Sequence, residues 1–329
     1  MSAFEGCAAL GSLALPASLT TLGACFIKDT PIREMTIPKG VTAVQNNSGS
    51  GALDGSRVEA VVFEPGTVTI PAYICSSYNG NDTLSGITIP EGVTAIGDSA
   101  FASCFALREV TLPASLQRIG ASAFLATGIT ELILPAGTSE IGYRAFARSA
   151  LRSVSMEYDP AAAPEDVTVG MYAFSYCAEL EDVALSEAVT AIDSWAFDGC
   201  GSLRELVLPD SLRTLGSSFL QGTAVETLTV PTGLTDCSYD GPLKGSSVTE
   251  VIFAEGTERI PDHICAESPV TNALIPDTVI GIGTRSFFAC AMTGALTIPG
   301  TIEVIGEGAF GSCGGITALY FDYDEALSP

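Results

Sequence analysis

The amino-acid sequence predicts a mainly β solenoid of about fourteen coils, each 22–23 residues long, with a parallel sheet along one face and short turns or 3-10 elements elsewhere. Three observations predict it. First, one phrase recurs along the chain: an apolar strand closed by Pro, a short gap, then Ile-Gly-x-x-Ala-Phe, as in residues 109–113 with 119–124 and residues 131–135 with 141–146. Second, the apolar residues that end the strands recur at nearly constant spacing: Leu15, Ile37, Phe63, Ile89, Leu112, Leu134, Met156, Leu185, Leu208, Val230, Phe253, Ile275, Ile298 and Phe321. These define coils 1 to 14, and the two wide gaps, after Ile37 and after Met156, hold insertions. Third, another apolar residue sits two positions before each of them, Val110, Leu132 and Val154 for example, which places both on one face of a strand. A fixed period of this size is the signature of a stacked array.

Each element of the coil follows from its residues. Pro with Gly, Ala or Ser after it, as in Pro90-Glu91-Gly92 or Pro135-Ala136-Gly137, ends the strand and turns the chain. A second short apolar pair comes next, such as Val93 with Ile96 or Leu116 with Ile119. Gly97, Gly120, Gly142, Gly216, Gly283 and Gly306 then supply a tight corner that a Cβ would crowd. Phe101, Phe124, Phe146, Phe174 and Phe197 belong to a column of inward rings, and Leu107, Ile129 and Leu151 close the turn into the next strand. No coil can bury enough surface alone, so stability is expected to come from neighbour stacking. At about 4.8 Å between strands, the array would be about 65 Å long.

The compound motif, Leu-x-x-Val-x-Leu-Pro followed by Ile-Gly-x-x-Ala-Phe-x-x-Cys, resembles the BspA-type (Treponema pallidum-type) leucine-rich repeats over essentially the whole chain. The resemblance implies a right-handed leucine-rich-repeat solenoid and an extracellular or cell-surface location in a bacterium or protist. It also implies a non-enzymatic role in adhesion or recognition, with no catalytic residues to carry over.

A longer repeat lies inside the short one. Val61-Val62-Phe63 with Ile70-Pro71-Ala72-Tyr73-Ile74-Cys75 matches Val251-Ile252-Phe253 with Ile260-Pro261-Asp262-His263-Ile264-Cys265. The coil before each lacks the column Phe and carries a polar insert, at residues 45–57 and 238–247. An eight-coil block is therefore read as duplicated.

Thirty-eight acidic against fourteen basic residues give a net charge of −24, which argues against nucleic acid or an anionic membrane as partner. No stretch reads as a membrane-spanning helix, and no signal peptide is visible. The chain opens in the second half of a coil and closes just after the last strand, so residues 1–329 are read as one solenoid and as a segment of a longer secreted protein. A monomer is expected.

The sequence offers little chemistry. The one histidine, His263, aligns with Tyr73 of the other block copy, which marks an aromatic structural slot. Phosphate-loop and nucleophile-elbow patterns are absent, no metal or cofactor is expected, and the acidic insertion at residues 157–166 lacks the spacing of a dedicated calcium loop. Trp195 reads as a lone, partly buried ring, with glycan stacking as the alternative. Cys7, Cys104, Cys177, Cys200, Cys290 and Cys313 each follow a column position by three residues and read as a ladder of buried thiols, with a disulfide between Cys177 and Cys200 or between Cys290 and Cys313 as the alternative.

The outward side chains of the sheet are the candidate ligand face: Glu109, Glu131, Asp182 and Glu205 in one column, Arg108 and Arg204 beside them, and Ile133 and Val207 as apolar spots. Glu109 beside Glu131, and Asp182 beside Glu205, would stack like charges unless Arg intervenes. The ligand expected there is a protein or a glycan. The alternative function is a stalk that binds nothing.

Overall fold

A computed structural model describes residues 2–45, 50–77, 83–161, 164 and 166–322. Residues 46–49 of the first polar insert, 162, 163 and 165 of the acidic insertion, and 323–329 lie outside the described residues.

Every strand is parallel to its neighbours, and no helix is present among the described residues. Each coil has three sides. The first is the predicted strand, observed in twelve of the fourteen coils, from Glu34–Ile37 in coil 2 to Gly315–Asp322 in coil 14. Strands expected at Leu15 and Leu208 do not form, because neither segment has a hydrogen-bonded partner on this side. The alternation is as expected: in Glu131–Leu134 the pattern is exposed, buried, exposed, buried.

The second side is a further parallel ladder, built from the short apolar pair after the Pro turn. It begins at Thr21–Gly23, ends at Val304–Ile305, and includes an unbroken sheet of eight strands from Thr69–Ile70 to Asp236–Cys237. The sequence placed a sheet on one face only. Two or three residues alternating over so short a span do not announce a strand, and only stacking supplies the partner bonds.

The corner glycines then act as predicted. A Cβ on Gly142 would meet Gly120 C and Ile119 O at 2.8 Å, and one on Gly216 would meet Ser194 N at 2.1 Å. The corner N–H also extends the ladder, with Gly120 N–H donating to Ile96 O (2.8 Å) and Gly142 N–H to Ile119 O (2.9 Å).

The third side is a run of overlapping turns around the column ring. Alternate N–H groups reach the next coil, as Ser99, Phe101 and Ser103 donate to Ala121, Ala123 and Leu125 O (2.7–2.8 Å). Those between fold back three residues, as Ala100 donates to Gly97 O and Ala102 to Ser99 O. This alternation requires left-handed backbone two residues before and after the ring. Ser99 and Ser103, Ser122 and Ala126, Arg144 and Arg148, and Tyr172 and Tyr176 all have φ between 52° and 59°. Non-glycine residues rarely adopt that region; here each is held by a bond to the neighbouring coil.

Inside, the rings file one above another. Phe101, Phe124, Phe146, Phe174 and Phe197 stack at centroid distances of 5.2–5.5 Å with planes within 10°. All five are fully buried. In the two coils marked by Pro71 and Pro261, Cys75 and Cys265 take the ring's place in the hydrogen-bond register, donating to Ala100 O and Ser286 O.

All ten cysteines are free. Five of the six expected members form the thiol ladder with a specific partner: the thiols of Cys104, Cys177, Cys200, Cys290 and Cys313 donate to the carbonyls of Cys75, Phe146, Phe174, Cys265 and Phe287, each at the ring position of the preceding coil. The sixth, Cys7, is exposed, because no preceding coil among the described residues covers it. Where Cys is missing, Thr127 and Ser268 donate instead to the ring-position carbonyl of their own coil. The slot therefore holds an O–H or S–H donor; at Phe146, Phe174 and Phe287 the thiol adds a second bond to a carbonyl that also accepts the backbone N–H three residues on. Burial pushes the thiols of Cys104 and Cys290 up to about 12 and that of Cys177 up to about 11, which keeps them protonated and unreactive in the fold.

Candidate functional site

The candidate face is the first side of the coil. In coils 6, 7 and 8 its strands are Glu131–Leu134, Ser153–Met156 and Asp182–Ala184, paired so that Glu131, Ser153 and Asp182 form one outward row and Ile133, Ser155 and Ala184 the next. The pleat buries Leu132 and Val154 and leaves Ile133 62% exposed. Coil 9 continues the rows with Glu205 and Val207, the latter 69% exposed. Between Ile133 and Val207 the outward residues are only Ser155 and Ala184. Their short side chains leave a groove of about 460 Å³, walled by the two aliphatic residues and edged by Glu131, Asp182 and Glu205.

A second cleft, of about 730 Å³, adjoins the first and shares Glu205 and Val207; Arg204, Asp210 and Glu226 also line it. It opens where residues 204–208 make no backbone hydrogen bond to the coil on either side. Five of the eight residues expected at the site thus meet in one groove: Glu131, Ile133, Asp182, Glu205 and Val207. Arg204 lies in the adjoining cleft. Glu109 and Arg108 belong to coil 5, outside both.

Two electrostatic expectations change. Arg108 and Arg204 form no ion pair among the described residues, so they do not bridge the carboxylates; on this face Arg33 pairs with Glu59, and Arg152 with Glu179 at 3.6 Å. The junctions that would stack Glu109 on Glu131 and Asp182 on Glu205 are both unpaired in this ladder. Like charges directly opposite destabilise pairing, and these strands are not held together by hydrogen bonds.

Trp195 is not a lone ring. It stacks on Tyr172 at 5.2 Å and 7°, and Tyr172 meets Tyr143 edge-on at 6.0 Å. These rings stand on the third side, near the left-handed positions; Tyr143 and Tyr172, the partners of Trp195, are not legible in the repeat motif because they fall at variable places of the repeat. The available signal was Tyr143, Tyr172 and Trp195 in three successive coils at nearly equivalent positions. His263 packs against Tyr239 at 4.8 Å, and like its block equivalent Tyr73 it has φ of 60°. No group of three or more potential metal ligands occurs among the described residues, and no helix among them is long and apolar enough to cross a membrane.

Comparison with known proteins bears on the repeat. The sequence pattern of the BspA type leucine rich repeat region matches residues 1–52, 46–161, 167–293 and 258–325. No curated protein matches the chain. Among solved structures, a leucine-rich repeat protein from Bacteroides ovatus is similar at 22% identity and a TM-score of 0.53, over 91% of this chain and 74% of that one. A leucine rich cell surface protein from Faecalibacterium prausnitzii aligns at 19% identity and a TM-score of 0.36, over 94% of this chain and 84% of that one. The Bacteroides ovatus structure, at this identity, speaks to the fold alone. The repeat match, running through nearly every coil of the stack, makes this chain a member of the BspA-type leucine-rich repeat family.

Proposed function

We propose that the chain is a non-enzymatic recognition module of a bacterial cell-surface or secreted protein, and that it holds a protein partner in the groove over coils 6–9. The observation that carries this reading is the pair of aliphatic walls. Ile133 and Val207 stand mostly exposed on either side of a small-residue floor, beside three carboxylates that form no ion pair among the described residues. A stalk needs only a uniform solvated surface, whereas an exposed apolar spot with an unpaired charge row is the make-up of a contact patch. The row of Glu131, Asp182 and Glu205 selects a basic segment of the partner and would speed its approach. Family membership supports the role, since leucine-rich repeats commonly serve protein interactions, and it supports a surface location.

The test is binding to a panel of immobilised basic extracellular-matrix proteins. The I133S/V207S and E131Q/D182N/E205Q variants should each lose binding, the second also losing its salt dependence. Unchanged binding in both would overturn the groove as the site, and no binding by the parent chain would leave the stalk as the function.

A further inference from the structure

The third side carries a second surface of opposite character. A cleft of about 470 Å³ lies there, lined by Phe105, Arg144, Arg148 and Tyr176. Phe105 and Tyr176 are 51% and 54% exposed. Arg144 lies over both Tyr143 and Tyr172, 5.0 and 5.2 Å from the ring centroids, and Arg148 lies 5.6 Å from that of Tyr176. The Tyr172–Trp195 stack extends the platform by one coil. The Tyr176 ring rests on Gly199, where a Cβ would stand 2.8 Å from the ring.

The charge of this cleft runs against the rest of the chain. Of fourteen basic residues in a protein of net charge −24, six are engaged in ion pairs, and neither Arg144 nor Arg148 is among them. Both arginines are exposed, their guanidinium carbons lie over aromatic rings, and neither forms an ion pair among the described residues. A planar guanidinium presented in this way is suited to bidentate contact with a carboxylate or sulfate. Main-chain recognition is closed off here, because alternate N–H groups already reach the next coil: Ser122 donates to Tyr143 O, Phe124 to Ala145 O and Arg144 to Met171 O. An extended peptide therefore finds no free edge to pair with. What the surface offers is ring faces and guanidinium planes, which suit the apolar face of a sugar ring bearing an anionic substituent.

We propose that the Phe105–Arg144–Arg148–Tyr176 cleft, with the Tyr172–Trp195 stack beside it, binds an acidic oligosaccharide, carboxylated or sulfated. This site is independent of the groove over coils 6–9. Trp195 is the chain's single tryptophan, so its fluorescence reports on this surface without labelling. The experiment titrates the full chain with a heparin-derived hexasaccharide, an oligogalacturonate, a neutral oligosaccharide of equal length, and poly-L-glutamate.

The expected result is a saturable change in Trp195 fluorescence with one or both acidic sugars, weakening as salt rises. The R144A/R148A variant should lose about tenfold or more in affinity, in line with two charged hydrogen-bond donors. Arg144→Lys should be intermediate, and I133S/V207S should bind like the parent. Thermal melts would confirm that the exposed-site variants remain folded. The proposal is overturned if neither acidic sugar binds, if the neutral sugar or poly-L-glutamate binds equally well, or if R144A/R148A leaves affinity unchanged. Sugar attached to a glycoprotein and free polysaccharide share this chemistry, and a glycosidase-treated glycoprotein probe separates the two sources.

Discussion

The first and second sides of the solenoid are made by the same coils, yet their ladders break at different places. On the first side, hydrogen bonding is missing between coils 1 and 2, 3 and 4, 5 and 6, 8 and 9, 9 and 10, and 12 and 13. At each of those junctions the second-side strands are paired. The second side in turn is interrupted between coils 2 and 3 and between coils 10 and 11, where the first-side strands pair over four residues in register. Coils 13 and 14 are likewise joined on the first side. No junction among the described residues lacks both ladders. In an array whose stability is a sum of nearest-neighbour terms, at least one of these two ladders at every junction, together with the third-side bonds, keeps the stack continuous while the first side opens.

The two second-side interruptions share a cause. Pro71 and Pro261 stand in the corner slot that glycine fills in most other coils, and proline has no N–H to give to the preceding coil. They sit at equivalent places in the two matching blocks, so the interruption recurs with the block.

This difference between singly and doubly joined junctions can be tested, starting with the largest expected effect. Phe146→Ala removes a ring stacked on both sides, at 5.2 Å from Phe124 and 5.5 Å from Phe174. It should cost about 3–5 kcal/mol. Hydrogen exchange should rise first between coils 5 and 6, which have one ladder, and later between coils 6 and 7, which have two. Equal rise at both would break the comparison.

A smaller effect comes from the corner. Gly142→Ala places a methyl 2.8 Å from coil 5 backbone at a junction that has the second-side but not the first-side ladder, whereas Gly120→Ala does the same between coils 4 and 5, where both ladders exist. Overpacking should cost about 1–3 kcal/mol, and Gly142→Ala should lower the melting temperature more. The reverse order would show that the ladders do not share load.

The smallest effect is expected from Pro261→Gly. It restores an N–H that can donate to coil 10, but the hydrogen bond, about 1 kcal/mol, is offset by the greater freedom of glycine in the unfolded chain. Stability should stay nearly constant while residue 261 gains a protected amide. A freely exchanging amide there would mean the missing N–H is not what ends the ladder.

Much of this architecture is legible in the sequence because repetition averages over local ambiguity. Val110, Leu132 and Val154 recur at one phase, so their shared inward face needs no tertiary information, and the corner glycines recur wherever a Cβ would strike the coil below. The Phe stack and the thiol positions follow from the same phase. The second ladder was not legible, since pairs such as Arg118–Ile119 are too short to alternate visibly. Nor were the left-handed columns, because Ser99, Ala126, Arg144 and Tyr172 share no side-chain chemistry; the neighbouring coil, not the residue, imposes that backbone. Of the candidate face, the sequence identified which side chains point outward. It did not indicate that Ser155 and Ala184 would leave a groove between Ile133 and Val207, or that Arg108 and Arg204 would stand apart from the carboxylates.

By itself, then, the sequence determined the period, the inward and outward faces, the ring column and the acidic character, because each depends on covalent spacing and on side-chain polarity. Tertiary structure decided which junctions are hydrogen-bonded, where the surface opens, and which cations stack on rings instead of meeting carboxylates. Those outcomes depend on residues about 22 positions apart becoming neighbours, and on how closely one coil settles on the next.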